Sequence, residues 1–109
     1  MGNIKIREAK LSDAEAISVL MSELGYDLST RDTLTRIATY HEAADSVLIA
    51  EDCGEVVGFL SFHVIPLFHA VGNLGRITSM CIRSSRLREG IGRALLAMLD
   101  EVALNRECL

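Results

Sequence analysis

The sequence predicts one α/β (α+β) domain over residues 1–109, a mixed sheet flanked by helices in the order βααβββα. Three observations predict it. Half of the 109 residues are hydrophobic and one is proline, enough apolar material for one core and too little chain for two domains. Two β-rich runs, "SVLIAED" and "EVVGFLSFHVI", meet around a Cys-Gly connection, the pattern of an antiparallel hairpin. "RLREGIGRALLAMLDEVA", residues 86–103, opens on glycines and charges and then runs as an amphipathic helix.

The elements follow in order. "NIKIREA" alternates Ile4 and Ile6 with polar neighbours and reads as a first strand. Ser12 and Glu15 form the letters of a capping box, and Ile17, Leu20, Met21 and Leu24 then share one helical face that stops at Gly25. A second helix is expected from Thr30 to Ala43, with Leu34, Ile37, Ala38 and His41 in register. Pro66 ends the second hairpin arm, His69, Gly72, Asn73 and Gly75 form a loop, and "RITSMCI" is a short apolar strand. Along the last helix Ile91, Leu95, Met98, Leu99 and Val102 define the face that packs on the sheet.

Composition narrows the functions. A net charge of -4 with 24% charged residues gives no general attraction to nucleic acid or to an anionic membrane, so neither is an expected partner. Three cysteines without a CxxC pair argue against a secreted disulfide framework and for a reducing, cytoplasmic setting. The N-terminus lacks a signal-peptide core, and Gly2 is not in a myristoylation motif because Ile6 stands where Ser or Thr is needed. The histidines and cysteines (His41, His63, His69, Cys53, Cys81, Cys108) show no metal-site spacing, and no metal is expected.

The glycines at the helix mouth carry the chemical signal. The first amides of a helix have no internal acceptor, and the helix dipole adds partial positive charge there. Gly90 and Gly92 clear side chains from those amides, while Arg86, Arg88 and Arg93 stand within reach, so an anion such as a diphosphate is a natural guest. The same letters also suit a plain helix entry with solvated arginines. A Walker loop would end in Gly-Lys-Ser/Thr and a dinucleotide fingerprint would have Gly or Ala at Leu95; this sequence has neither.

With the element order, "RITSMCIRSSRLREGIGRALL" resembles the GNAT superfamily of acyl-CoA-dependent N-acyltransferases over almost the whole chain. The family's loop has the form Arg/Gln-x-x-Gly-x-Gly/Ala. The resemblance implies acetyl-CoA as cosubstrate. Met80, Cys81 and Ile82 would pair with its pantetheine arm through main chain, and Arg88, Glu89, Gly90, Ile91, Gly92 and Arg93 would surround its pyrophosphate. It further implies a strand amide near Cys81 or Ile82 as the oxyanion donor, taken here as that of Cys81.

Three features depart from the family pattern. Leu87 takes the usual Arg/Gln position, with Arg86 and Arg88 on either side. Thr78 stands where many relatives carry a glutamate on this strand, and a threonine hydroxyl is no base at neutral pH. The sequence ends at Leu109, whereas the family continues with a parallel strand, a helix and a hairpin; the expectation is therefore a C-terminally truncated GNAT-like domain. Its last strand would present an open edge, and the expectation is one of three: a homodimer through that edge, a fragment of a longer protein, or poor solubility.

For the general base, Glu51, His63 and His69 are the options, with His63 the choice on pKa; a histidine in an apolar strand also suits a packed core. Cys81 as a nucleophile lacks a base beside it. Asp27, Asp32, Glu42 and Asp45 would suit a cationic amine or simply be solvated charge. The function expected from the resemblance is acetyl transfer from acetyl-CoA to a primary amine of a small molecule or protein by direct attack. Aminoglycosides, aminophosphonates, polyamines, protein N-termini and lysines are all open as acceptors. The alternative is a catalytically incomplete module that binds CoA or only dimerises.

Overall fold

Four strands pair antiparallel in chain order, β1-β2-β3-β4, in a computed structural model that describes residues 3–43 and 45–108. Gly2 and Leu109, singled out in the sequence, lie outside the described residues. The elements are β1 (Ile4–Glu8), a 3-10 turn (Leu11–Asp13), α1 (Ala14–Glu23), α2 (Thr30–Glu42), β2 (Ser46–Asp52), β3 (Glu55–Pro66), β4 (Asn73–Ile82), a second 3-10 turn (Ser84–Arg86) and α3 (Ile91–Asn105). This is the expected order βααβββα. The described parallel contact is a single bridge between Asn73 and Cys108.

Local chemistry sets several boundaries differently from the letters. The Ser12–Glu15 capping box does not form. The carboxylate of Asp13, buried, takes over the entry to α1: it accepts the Lys10 amide at 2.7 Å and both terminal nitrogens of Arg7 at 2.8 and 3.0 Å. Arg7 also bonds Glu51 on β2, so one guanidinium joins β1, β2 and the start of α1. A bidentate charge-assisted pair outweighs a hydroxyl cap. Helix α2 is capped by Ser29, whose Oγ accepts the Asp32 amide at 3.0 Å. Its buried face is Thr33 and Ile37, and the predicted face is displaced: Leu34 and His41 are exposed. Thr33 can be buried because its hydroxyl bonds the Ser29 carbonyl at 2.8 Å.

The β2–β3 connection is the expected two-residue hairpin. Cys53 and Gly54 have φ of 52° and 84°, the two left-handed residues of a turn whose twist matches the strands. Strand β4 begins at Asn73, so Asn73 and Gly75 belong to it and not to the predicted loop. Gly75 is required there, because a Cβ would run into the Phe62 ring.

The sheet is packed on both sides. On one face α1 and α2 cover Val47, Ile49, Val56 and Phe59; on the other α3 lays Ile91, Leu95 and Leu99 over Leu48, Val57, Leu60 and Phe62. Ile91 and Leu95 are essentially inaccessible, each worth about 2–3 kcal/mol of burial. The last helix is thereby pinned, and with it the loop that precedes it.

Candidate functional site

The loop from β4 to α3 is shaped by two left-handed residues, Arg88 (φ 67°) and Gly90 (φ 84°). Gly90 is the N-cap of α3, without a side-chain cap, and space is open within 4 Å of where its Cβ would stand. Among the described residues, the amides of Ile91, Gly92 and Arg93 have no recorded acceptor outside the helix. Ile91 is buried in the core, which fixes the direction of these amides. Gly92 lies against β4, its missing Cβ 3.0 Å from Cε of Met80.

The loop charges are divided. Arg86 is spent on structure: it bonds Asp52 of β2 at 2.7 Å and Glu89 at 2.8 Å, so it ties the loop to the hairpin and occupies Glu89. The Arg86 guanidinium holds the Asp52 carboxyl below the usual carboxylate range. Arg88 and Arg93 are exposed, and among the described residues neither takes part in an ion pair. Leu87, at the position where Arg or Gln was expected, is exposed.

Beside the loop runs the outer edge of β4. The Arg83 amide bonds the Val57 carbonyl at 2.8 Å, and antiparallel pairs exchange hydrogen bonds at every second residue. Counting back along the register, the pairs Cys81–Phe59 and Ser79–Ser61 are of the same kind. Their main-chain groups point into the sheet, while those of Met80 and Ile82 face the open edge. This corrects the expectation for Cys81: its amide is turned toward β3. Its thiol is no better placed for chemistry, since Sγ is buried against the Leu20 carbonyl at 3.3 Å and burial pushes its pKa up.

A bulge re-aims the centre of β4. Ser61 pairs with Ser79 but Phe62 pairs with Ile77, which leaves Thr78 as the extra residue. Consecutive Thr78 and Ser79 can therefore both reach one hydroxyl of β3: Ser61 Oγ lies 2.6 Å from Thr78 Oγ1 and 2.5 Å from Ser79 Oγ. Tyr40 of α2 closes the group, its OH 2.7 Å from Thr78 Oγ1.

These hydroxyls floor a cavity of about 190 Å³ between α1, α2 and the sheet, with apolar walls from Ile17, Met21, Leu28, Ile37, Val47 and Phe59. Arg36 is its charged lining residue. A second cavity of about 260 Å³ shares Met21, Phe59, Thr78 and Ser79 with it and reaches Met80 and Cys81 on β4. Together they make a trough from under α2 to the strand edge.

Of the candidate bases, Glu51 is consumed by Arg7 and His69 sits in the exposed β3–β4 loop. His63 is on the α1–α2 face of β3, two residues beyond Ser61. Its Nδ1 lies 2.5 Å from Asp45 Oδ2, and Asp45 Oδ1 accepts the Val64 amide at 3.0 Å. Asp45, considered in the sequence as surface charge, is buried. The bond at Nδ1 leaves His63 Nε2 as the free ring nitrogen, on a side chain 44% exposed.

Residues 14–109 match the model of the acetyltransferase (GNAT) family. The chain belongs to the GNAT acetyltransferase family. Its fold is similar to that of a GNAT family acetyltransferase of Staphylococcus aureus, at 23% identity and a TM-score of 0.85, covering 99% of this chain and 82% of the other. A ribosomal-protein-alanine N-acetyltransferase of Brucella melitensis matches at 23% identity and 0.78, over 96% and 74%. The yncA protein of Salmonella typhimurium, whose structure contains acetyl-CoA, matches at 22% and 0.80, over 96% and 65%. A sequence search of curated proteins gives no significant match.

Within this GNAT domain, Gly90 to Arg93 lie beside the stretch of β4 that carries Met80 and Ile82. His63 lies on the α1–α2 face, two residues along β3 from Ser61 of the cavity floor. Sequence reasoning missed Tyr40, Ser61 and Arg36, and it named Asp45 without its partner His63. Tyr40 is seven residues from Thr33, so a helix face drawn through Thr33 and Ile37 would have found it. Among the described residues no helix is long and apolar enough to cross a membrane, and no cluster of His, Cys, Asp and Glu could hold a metal.

Proposed function

We propose that this chain is an acetyl-CoA-dependent N-acetyltransferase that acts on a primary amine by direct attack. The observation that carries the reading is the adjacency of two unsatisfied backbone surfaces, the amides at the start of α3 and the outer edge of β4. The first suits a pyrophosphate, with Arg88 and Arg93 adding charge. The second suits an extended amide-bearing arm that adds to the sheet as a strand would. Bound acetyl-CoA would supply an activated acyl thioester.

The chain's own groups then divide the work. Met80 N–H, facing the edge beside the bulge, is assigned the oxyanion role expected of Cys81. His63 Nε2 accepts the proton of the acceptor amine, and Asp45 positions it by holding Nδ1. Ser61, Thr78 and Tyr40 orient the amine by hydrogen bonds. A second reading, a module that binds CoA without transfer or pairs with another chain along β4, is favoured by the lack of a carboxylate in either cavity lining.

Calorimetric titration with acetyl-CoA, with S-acetylpantetheine lacking the pyrophosphate as control, tests the reading. Saturable binding that weakens at least about tenfold without the pyrophosphate is expected. Equal binding of the two, or none by a folded sample, overturns the assignment of the loop.

A further inference from the structure

The trough beneath α2 holds chemistry that the transfer reading leaves unused, and it bears on which amine is taken. The geometry points to an acceptor that is a small primary amine with an apolar body and an anionic group, such as a carboxylate, recognised by Arg36. This rests on the proposed transferase function and names its acceptor class.

The charge pattern of the lining decides against the cationic acceptors that the sequence left open. Among the described residues, no Asp or Glu lines either cavity. Of the four acidic residues considered from the sequence, Asp45 is bound to His63 and the β3 backbone, and Asp27, Asp32 and Glu42 are exposed outside the lining. A polyamine or a lysine chain entering here would meet Arg36 and no counter-charge, a juxtaposition that costs binding energy.

Arg36 is placed to receive an anion. It lies four residues before Tyr40 on α2, hence on the same helical face, and Tyr40 OH reaches the Thr78 hydroxyl at the far side of the cavity. Among the described residues no carboxylate pairs with its guanidinium, which leaves its fork free for a carboxylate. The walls between Arg36 and the hydroxyls are apolar. At about 190 Å³ the cavity is on the scale of one aliphatic side chain. The shared residues Thr78 and Ser79 lead from this cavity to Met80 at the strand edge, so an amine held by the hydroxyls would face the place assigned to the acyl group.

Ligand-observed NMR titrations test this, run with and without CoA, using leucine, methionine and 6-aminohexanoate, each beside its own carboxamide, and spermidine as the cation. Carboxylates are expected to bind about tenfold more tightly than their carboxamides, with spermidine weakest. The ratio should fall to about one in Arg36→Gln and be partly kept in Arg36→Lys. Equal binding of carboxylate and carboxamide in the unmodified protein, tighter binding of spermidine, no binding of any amine, or a preference that survives Arg36→Gln would each overturn the inference. Acetyl-CoA titrated into the same samples separates the levels. CoA bound without a carboxylate preference removes only the acceptor assignment, whereas failure of CoA to bind removes the transferase reading.

Discussion

Replacing Gly90 with alanine separates the conformational role of that residue from its role as an opening. Gly90 has φ 84° and nothing within 4 Å of a built Cβ, so the substitution creates no internal clash. A Cβ in the left-handed region costs about 1–2 kcal/mol, and alanine recovers about 0.4–1 kcal/mol through the unfolded chain. The net loss is about 1 kcal/mol, a fall in Tm of about 5 °C for a domain of this size. Gly25 and Gly54 provide matched controls, with φ of 88° and 84° and the same empty surroundings. All three alanine variants should therefore lose similar stability in thermal denaturation. Only Gly90→Ala places a methyl group in front of the open amides of Ile91 to Arg93, and only it should lose acetyl-CoA affinity in calorimetry, by about tenfold or more. Unchanged affinity in Gly90→Ala, or an equal loss in both controls, would refute the assignment of this turn as the anion site.

Three further substitutions reach other parts of the molecule. Asp13→Asn removes the charge that holds Arg7 and should cost about 2 kcal/mol in urea unfolding at neutral pH. The Arg7 hydrogen bonds pull the folded-state pKa of Asp13 below its ordinary value. That contribution is complete above the unfolded carboxylate pKa of about 4 and disappears as pH falls through the lower folded value. The gap between Asp13→Asn and the unmodified protein should narrow from pH 6 toward pH 3, and a gap that stays constant would contradict the ion-pair account. His63→Gln should lower kcat by about a hundredfold with little change in KM, and Asp45→Asn should lower kcat by less, since it loosens the hold on Nδ1 without removing the imidazole. An unaltered kcat in His63→Gln would remove His63 from the chemistry.

The fold was legible because its signals are local. Ile91, Leu95 and Leu99 announce the face of α3 by spacing alone, and the Cys-Gly pair announces the hairpin because two left-handed residues are needed there. The errors share a different physical cause, the capture of a polar group by a distant partner. Ser12 loses the start of α1 to Asp13 because Arg7 arrives from β1. Leu34 loses the buried face of α2 to Thr33 because the Ser29 carbonyl satisfies its hydroxyl. Asp45 is buried because His63 and the Val64 amide, 18 and 19 residues away, meet it. The direction of the Cys81 amide was unreadable for a related reason. It depends on the parity of hydrogen bonding along β4, which the Thr78 bulge resets, and a one-residue change of register exchanges inward and outward groups.

The two faces of the sheet explain why the site can be open at all. On the α3 side, apolar side chains close over β2 and β3 and hold the glycine turn from beneath, so the loop is positioned without any cap that would use its amides. On the α1–α2 side the packing is incomplete. An enclosed void of 190 Å³ would cost about 4–5 kcal/mol; opening it to solvent relieves part of that, and the hydroxyls of Ser61, Thr78 and Tyr40 relieve more by bonding one another. A larger apolar residue at Thr78 would fill the space and still suit a strand. On the proposed function, the continuity of this polar, under-filled arrangement with the outward-facing groups of Met80 and Ile82 has a chemical use: a small acceptor would enter from α2 and meet an arm laid along β4 without either displacing the core.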